Sequence, residues 1–189
     1  MSEIPQQTAS PVAPPTGRVR FTRLIVWIGL LLLLIIVGLS LARVQQGPVA
    51  IGQKAPTFVL TTFQGEQIAL ESLQGKVVVI NFWASWCNPC EVEAADLEAA
   101  WRFYQPRGDV VFLGVDYADT EPEALAYLRK FEITYPNGPD LGTRITQEFR
   151  TLGVPETYVV DQTGKLAYKQ IGPFASLGEI KALIDPLLE

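Results

Sequence analysis

The chain has 189 residues, with 15 Lys and Arg against 20 Asp and Glu, a formal net charge of −5 and no histidine. Residues 48–189 carry 11 of the basic and 19 of the acidic residues. This acidic balance argues against a nucleic-acid partner, because binding to phosphate backbones needs a basic surface. The lack of histidine removes the commonest metal ligand and general base, so we expect neither a metal site nor a cofactor.

The first informative segment is Leu24–Ala42, an uncharged run rich in Leu, Ile and Val. At about 1.5 Å per residue, a helix of this length just spans a hydrocarbon core of roughly 30 Å. Arg18, Arg20 and Arg23 precede the run, and the positive-inside rule therefore places the N-terminus in the cytoplasm. We predict a single-pass anchor in the cell (inner) membrane with the catalytic domain outside the cytoplasm.

The chain is thus expected to comprise a disordered cytoplasmic tail (1–23), a transmembrane signal-anchor helix (24–42), a linker (43–50) and one further domain (51–189). A cleaved signal peptide ending at Ser40-Leu41-Ala42 is the alternative. The apolar run is longer than the roughly 7–15 residues of a signal-peptide core, which favours the uncleaved anchor.

The pattern of residues 51–189 predicts strands alternating with helices. In chain order these are strands at 57–61 and 67–70 around a Gln64-Gly65 turn, a buried strand at 76–83, a helix at 87–104, a strand at 110–117, helices at 121–131 and 143–150, strands at 157–161 and 165–171, and a closing helix at 176–188. This order predicts an α/β fold in which a central mixed sheet carries helices on both faces.

Cys87 and Cys90 are the two cysteines of the chain, spaced Cys-x-x-Cys where the buried strand gives way to the helix. The free amides of a helix N-terminus favour a thiolate on the first cysteine. A disulfide across two intervening residues closes too small a loop to restrict the unfolded chain much, so the pair is reactive rather than structural. An inert disulfide or a pair of buried free thiols is the alternative. A Cys-x-x-Cys pair at the end of a central strand is the thioredoxin-like order.

Three motifs together make the chain similar to the TlpA/ResA/CcmG group of membrane-anchored thioredoxin-like reductases, within the AhpC/TSA-related redoxins. They are residues 52–58 (GQKAPTF), 79–90 (VINFWASWCNPC) and 153–161 (GVPETYVVD). The resemblance implies a thioredoxin-like fold with an N-terminal β-hairpin extension at 57–70, a helical insertion at 121–142 and a cis peptide bond before Pro155. It also implies a reductase of oxidised protein thiols, such as those of apocytochrome c, that receives electrons from a membrane thiol-electron transporter.

The resemblance assigns different roles to the two cysteines. Cys87, expected to be exposed, attacks the substrate disulfide, and the more buried Cys90 resolves the resulting mixed disulfide. Asn88 and Pro89, between the two thiols, are expected to tune the reduction potential.

Glu93 follows Cys90 by three residues, so both can lie on one face of a helix. It matches an acidic residue that this group places near the second cysteine, where it raises thiol pKa values or passes protons. Thioredoxins proper keep a buried acid near the positions of Val79 and Phe82, so we expect Glu93 to substitute for it. The alternative is a solvent-exposed glutamate that merely favours the helix dipole.

The substrate surface is expected to comprise Trp86, Val154, Pro155 and Glu156. Trp86 would cover the disulfide, and the backbone of Val154 would pair with an extended substrate segment. Glu156 matches an acidic position that lines the groove in the cytochrome-maturation branch, or it is a solvated charge at a strand edge. Trp83, in contrast, is expected to pack in the core.

Several other functions use a similar pair of thiols. A general extracytoplasmic disulfide reductase or isomerase stays open, as does a copper chaperone without redox catalysis, although such chaperones usually add a histidine. A dithiol oxidant is disfavoured because Asn88-Pro89 does not resemble the Pro-His pair typical of strong oxidants. A peroxidase would need Thr at the position of Ala84, and a membrane-tethered adaptor would not need the thiols at all.

Overall fold

A computed structural model of the chain describes residues 18–44 and 49–188. It divides into two units between Gln46 and Gly47. The first unit contains helix α1, Arg18–Val44. Its window Arg23–Ser40 has a mean hydropathy of 2.6 and no buried residues, so its length and composition suit a membrane crossing.

Helix α1 is longer than the predicted anchor. It begins at Arg18, so residues 18–23 of the predicted tail are helical. No proline lies between Arg18 and Leu24 to stop the helix. Residues 43–44 of the predicted linker are also helical. The rest of the predicted tail, 1–17, and residues 45–48 of the linker lie outside the described residues.

The second unit has the thioredoxin-like α/β fold predicted from the sequence. Its elements are β1 Val59–Thr61, β2 Gln67–Ala69, β3 Val77–Trp83, α2 Asn88–Tyr104, β4 Val110–Asp116, α3 Glu121–Lys130, β5 Asn137–Pro139, α4 Arg144–Phe149, β6 Glu156–Val160, β7 Leu166–Ile171 and α5 Leu177–Ile184. The main sheet has the order β5-β4-β3-β6-β7, and β1 pairs with β2 in a separate antiparallel hairpin. Strand β3 runs parallel to β4 and antiparallel to β6, which makes the sheet mixed.

Strand β3 is buried along its whole length because apolar layers cover both of its faces. Val78, Ile80 and Phe82 pack into one core together with α4 and the β1–β2 hairpin. Val77 and Val79 pack into the other core together with α2 and α5. The sheet therefore carries helices on both faces, as the sequence predicted.

The short strand β5 was not predicted, because Asn137-Gly138-Pro139 has the composition of a turn rather than of a strand. It pairs in parallel with the end of β4. The absence of a side chain at Gly138 lets the hairpin approach closely, since a Cβ there would lie 2.2 Å from the carbonyl oxygen of Thr61. The hairpin thus packs directly on the edge of the sheet.

The carboxyl ends of β3 and β4 position the candidate site. Trp83 is the register partner of Asp116, and the amide of Tyr117 donates to the carbonyl of Trp83 at 2.8 Å. The ring of Trp83 is 2% exposed, stacks on Tyr127 and donates from Nε1 to Asn137 Oδ1 at 2.8 Å. This confirms Trp83 as a core residue and anchors the segment that leads directly to the cysteines.

Candidate active site

The two cysteines lie at the start of α2 and are joined by a disulfide with an S–S distance of 2.03 Å. Cys87 is the N-cap of the helix, and its Sγ accepts a hydrogen bond from the amide of Cys90 at 3.1 Å. Pro89 occupies the first helical turn, where its missing amide costs no helical hydrogen bond. The helix start therefore directs amide donors at the first sulfur, which favours a thiolate there once the bond is reduced.

The expectation that Cys87 is exposed is wrong for this disulfide-bonded form. Cys87 is 4% exposed and Cys90 is 1% exposed. Both pack in an apolar cluster with Trp83, Tyr127 and neighbouring residues, and Val154 packs against that cluster. The order of accessibility is still the predicted one, with the first cysteine nearer to solvent.

The rim of the site is apolar and accessible. Trp86, between the core strand and Cys87, is 60% exposed, and Leu152 is 76% exposed. Asn88 and Pro89 are also exposed. A partner that approaches the disulfide therefore meets an apolar surface first.

Glu93 is buried below the pair, with 1% exposure, so a solvent-exposed first-turn glutamate is excluded. Asn81 Nδ2 donates to Glu93 Oε1 and the amide of Phe174 donates to Oε2, both at 2.9 Å. Burial raises the pKa of Glu93 from 4.5 to about 7, because desolvation outweighs the two donated hydrogen bonds. A carboxyl group with this pKa exchanges a proton near neutral pH, one helical turn beyond Cys90.

The peptide bond between Val154 and Pro155 is cis, as the resemblance implied. Pro155 is buried, and its carbonyl accepts a hydrogen bond from the amide of Gly172 at 2.9 Å. Among the described residues, no group hydrogen-bonds to the amide or the carbonyl of Val154. The loop therefore presents free backbone groups beside the cysteine cluster.

The resemblance implied that Glu156 lines the active-site groove, and the alternative was a solvated charge at a strand edge. Both expectations are wrong, because the side chain is buried. The residue is 1% exposed, and its Oε2 forms an ion pair with Lys169 Nζ at 3.0 Å. The hydroxyl of Tyr158 donates to the same oxygen, and the amide of Leu152 donates to Oε1 at 2.7 Å. Glu156 therefore holds the loop that ends in the cis proline and is not itself accessible to a substrate.

A cleft of about 190 Å³ opens next to this loop. Its lining residues are Tyr117, Thr146, Thr151, Leu152, Gly153 and Val154. A space of this size accommodates one side chain of a bound protein segment.

Sequence reasoning did not identify the acidic residues at the end of β4. Asp116 is 2% exposed, and Asp119 binds the main chain and hydroxyl of Ser85, close to the cysteines. The sequence feature that could have identified Asp116 was its position as a polar residue at the end of an otherwise apolar strand. Within residues 23–40 and 49–188, no cluster of three or more His, Cys, Asp or Glu side chains is arranged to hold a metal ion.

Comparisons with known proteins point to one family. The AhpC/TSA family profile matches residues 51–169. The chain is 34% identical over 122 residues to a Bacillus cereus (strain ZK / E33L) protein named thiol-disulfide oxidoreductase ResA, covering 65% of this chain and 70% of that protein. It is 32% identical over 122 residues to the thioredoxin-like protein YneN of Bacillus subtilis (strain 168), covering 64% and 71%.

The fold is also similar to a solved structure. A crystal structure of a thioredoxin-family thiol:disulfide interchange protein from Chlorobium tepidum TLS superposes with a TM-score of 0.67 at 25% identity. The match covers 74% of this chain and 99% of that one.

A first prediction concerns Glu93→Gln. In the unaltered protein, resolution of a Cys87–glutathione mixed disulfide by Cys90 should accelerate as pH rises through about 7, because Glu93 then loses its proton and can accept that of Cys90. Loss of a general base slows such a step by about 100-fold or more. Stopped-flow measurement of glutathione release between pH 5.5 and 8.5 checks both the rate and the inflection.

The matched control is Glu91→Gln on the same helix, which removes a partly exposed carboxylate paired with Lys130. Its profile should follow that of the unaltered protein. An inflection near pH 7 that persists in Glu93→Gln would contradict the assignment.

A second prediction concerns the buried pair of Glu156 and Lys169. Lys169→Met leaves the Glu156 carboxylate without its cation and should lower the free energy of unfolding by roughly 3–5 kcal/mol. The double variant Glu156→Gln/Lys169→Met should cost less than the sum of the single variants, because neither charge is then left unpaired. Urea unfolding of the full chain in detergent at pH 7 measures all four proteins.

Lys165→Met on the same hairpin serves as the control, since Lys165 is exposed and a surface change of this kind stays within about 0.5 kcal/mol. Strictly additive effects of the two single substitutions would show that the pair is not coupled.

Proposed function

Because the chain belongs to the AhpC/TSA family and is a thiol-disulfide oxidoreductase, we propose that it reduces disulfides of exported proteins, with apocytochrome c as the client. The observation that carries this proposal is the position of the cysteine pair. Cys87 and Cys90 lie at a helix N-terminus between a cis proline and a buried, protonatable carboxyl group. This arrangement suits two-electron exchange between thiols and disulfides.

The reaction begins with the reduced pair. The Cys87 thiolate attacks one sulfur of the substrate disulfide, the substrate S–S bond breaks, and the departing thiolate takes a proton from solvent. Cys90 then transfers its proton to Glu93 and attacks Cys87 Sγ, which releases the second substrate thiolate. The substrate gains two electrons, and the enzyme is left with the Cys87–Cys90 disulfide that the structure contains.

The substrate segment binds along the cis-proline loop. The unpartnered backbone groups of Val154 suit pairing with an extended chain, as in recognition by strand addition. Trp86 and Leu152 offer apolar surface on either side. Pro155 shapes the loop, and Glu156 keeps it in place through the amide of Leu152.

Asn88 and Pro89 tune the reduction potential. Both residues are exposed and lie between the two cysteines in the sequence, and Pro89 shapes the first turn of α2. Their side chains control the access of partners to Cys87 and the surroundings of its thiolate, and both properties enter the rate and equilibrium of exchange.

The apolar helix α1 anchors the enzyme in the cell membrane. Arg18, Arg20 and Arg23 lie at its N-terminal side, which orients the N-terminus towards the cytoplasm and the catalytic domain outside. An oxidising exterior returns exposed dithiols to disulfides, so a membrane thiol-electron transporter must supply electrons for each cycle. The resemblance to the TlpA/ResA/CcmG group, carried by residues 52–58, 79–90 and 153–161, favours apocytochrome c over a general set of clients.

A third prediction tests the client and the roles of the cysteines. Cys90→Ser removes the resolving thiol, so Cys87 should remain in a mixed disulfide with its physiological substrate. Purification of the full chain from its native membrane, followed by mass spectrometry of the trapped adduct, should identify apocytochrome c.

Cys87→Ser is the matched control and should trap far less protein. Equal adducts through Cys90 would reverse the assigned roles. If Cys87 instead traps a broad set of exported proteins, apocytochrome c is not the specific client, and the function is general disulfide reduction or isomerisation.

A fourth prediction concerns the direction of the reaction. A reductase should have a reduction potential nearer to the thioredoxin value of about −270 mV than to the value of about −120 mV typical of a strong oxidant. Equilibration of the full chain with glutathione or dithiothreitol buffers, with the free thiols quantified by alkylation, measures it. A reduction potential of about −120 mV would contradict the reductase proposal and would indicate that the protein forms disulfides.

A further inference from the structure

The carboxylate of Asp119, from a neighbouring loop, holds the loop that leads to Cys87. Asp119 Oδ2 accepts the amide of Ser85 at 2.5 Å, and Oδ1 accepts its hydroxyl at 2.9 Å. Ser85 lies two residues before Cys87 and directly before the exposed Trp86. Asp119 comes from the loop between β4 and α3, so this contact joins two neighbouring loops at the same edge of the sheet.

A second carboxyl group supports the first. Asp116, the last residue of β4, is 2% exposed and lies within hydrogen-bond reach of Asp119. Its Oδ1 has no partner among the described residues. Two carboxyl groups within hydrogen-bond reach of each other do not both carry a charge readily, so one of them keeps its proton.

The surroundings of Asp116 identify it as the protonated member. Burial, together with the nearby Asp119 and Asp140, raises its pKa from 3.8 to about 8. Asp119 arrives from the loop before α3, and Asp140 follows β5 and accepts the amides of Ile145 and Thr146. No lysine or arginine among the described residues contributes to the shift.

We propose that Asp116 is a positioning residue of the redox site: its proton forms the hydrogen bond that holds Asp119 against Ser85 and thereby fixes the loop that carries Trp86 and Cys87. The proton is present at neutral pH. As pH rises through about 8, Asp116 ionises, its hydrogen bond to Asp119 is lost, and the two carboxylates repel each other. The contact to Ser85 then weakens, and the loop beside the disulfide loses its fixed position.

This inference rests on the proposed redox role of Cys87, but it concerns how the loop is held rather than which reaction takes place. It is also separate from the proton exchange of Glu93, which lies on α2 and binds Asn81 and Phe174. The two groups can therefore be substituted independently.

The first arm of the test follows the loop itself. Fluorescence of the oxidised full chain in detergent is measured from pH 6 to 10, and the difference from a Trp86→Phe variant isolates the signal of Trp86. A transition with a midpoint near pH 8 is expected. In Asp116→Asn the amide donates to Asp119 at every pH, so the transition should disappear and the signal should keep its low-pH value.

The second arm follows catalysis by dithiothreitol-driven reduction of insulin. The ratio of kcat/KM between the unaltered protein and Asp116→Asn cancels the pH dependence of the thiol chemistry itself. This ratio should be near one at pH 6.5 and fall about two- to tenfold at pH 9.5, the equivalent of one lost hydrogen bond. Asp116→Leu, which donates no hydrogen bond, should show the high-pH behaviour throughout the range.

Asp119→Asn keeps the proposal testable if the Asp116 variants fail to fold. With Asn at position 119, ionised Asp116 meets no second carboxylate and can accept a hydrogen bond from the introduced amide, so the Trp86 transition near pH 8 should disappear. Asp96→Asn on α2 is the control and should leave both arms unchanged.

A ratio that stays constant between pH 6.5 and 9.5, or a Trp86 transition that survives in Asp116→Asn, would overturn the proposal. Loss of insulin reduction in Cys87→Ser together with unaltered behaviour of Asp116→Asn would reject the positioning role and leave the redox function intact.

Discussion

The burial of one carboxyl group, that of Glu93, connects the fold of this protein to its chemistry. Glu93 lies on α2 and accepts hydrogen bonds from Asn81 on β3 and from the amide of Phe174. Asn81 also donates to Thr157 on β6 at 3.0 Å, so the network crosses the centre of the sheet. An apolar residue at position 93 would leave these buried donors unsatisfied. The contacts that fix the helix are therefore the same ones that set the proton affinity of a carboxyl group one helical turn from Cys90.

Glu93, Glu156 and Asp116 are all buried, and each is accommodated in a different way. Glu93 is held by neutral donors, Glu156 pairs with Lys169, and Asp116 retains a proton beside Asp119. Desolvation raises the pKa of Glu93 and Asp116, which makes the site responsive to pH around neutrality. Once Glu93 ionises, its charge disfavours a thiolate on the nearby cysteines. The helix N-terminus at Cys87 is the compensating influence that the structure provides.

Much of the fold followed from local patterns. The apolar run at 77–83 and the stripe along 88–104 predict their elements from their own residues, because a period in the sequence reflects burial on one or both faces. The cis bond before Pro155 followed from resemblance to a family rather than from the residues alone. Strand β5 was missed because its residues favour a turn, and only pairing with β4 makes them extended. The accessibility of Cys87 was overestimated because its apolar neighbours come from distant segments.

The sequence by itself determined the kind of chemistry, since two cysteines at a helix start behind a buried strand favour thiol–disulfide exchange wherever that local geometry forms. It also determined the apolar helix α1, because an apolar run of sufficient length needs no tertiary contacts to be recognised. Only the tertiary structure decided what the acidic residues do. Glu93 meets its donor Phe174 across 81 positions, and whether a glutamate is solvated or buried depends on such distant contacts. A pKa is a property of the assembled surroundings, and one strand or helix cannot supply them alone.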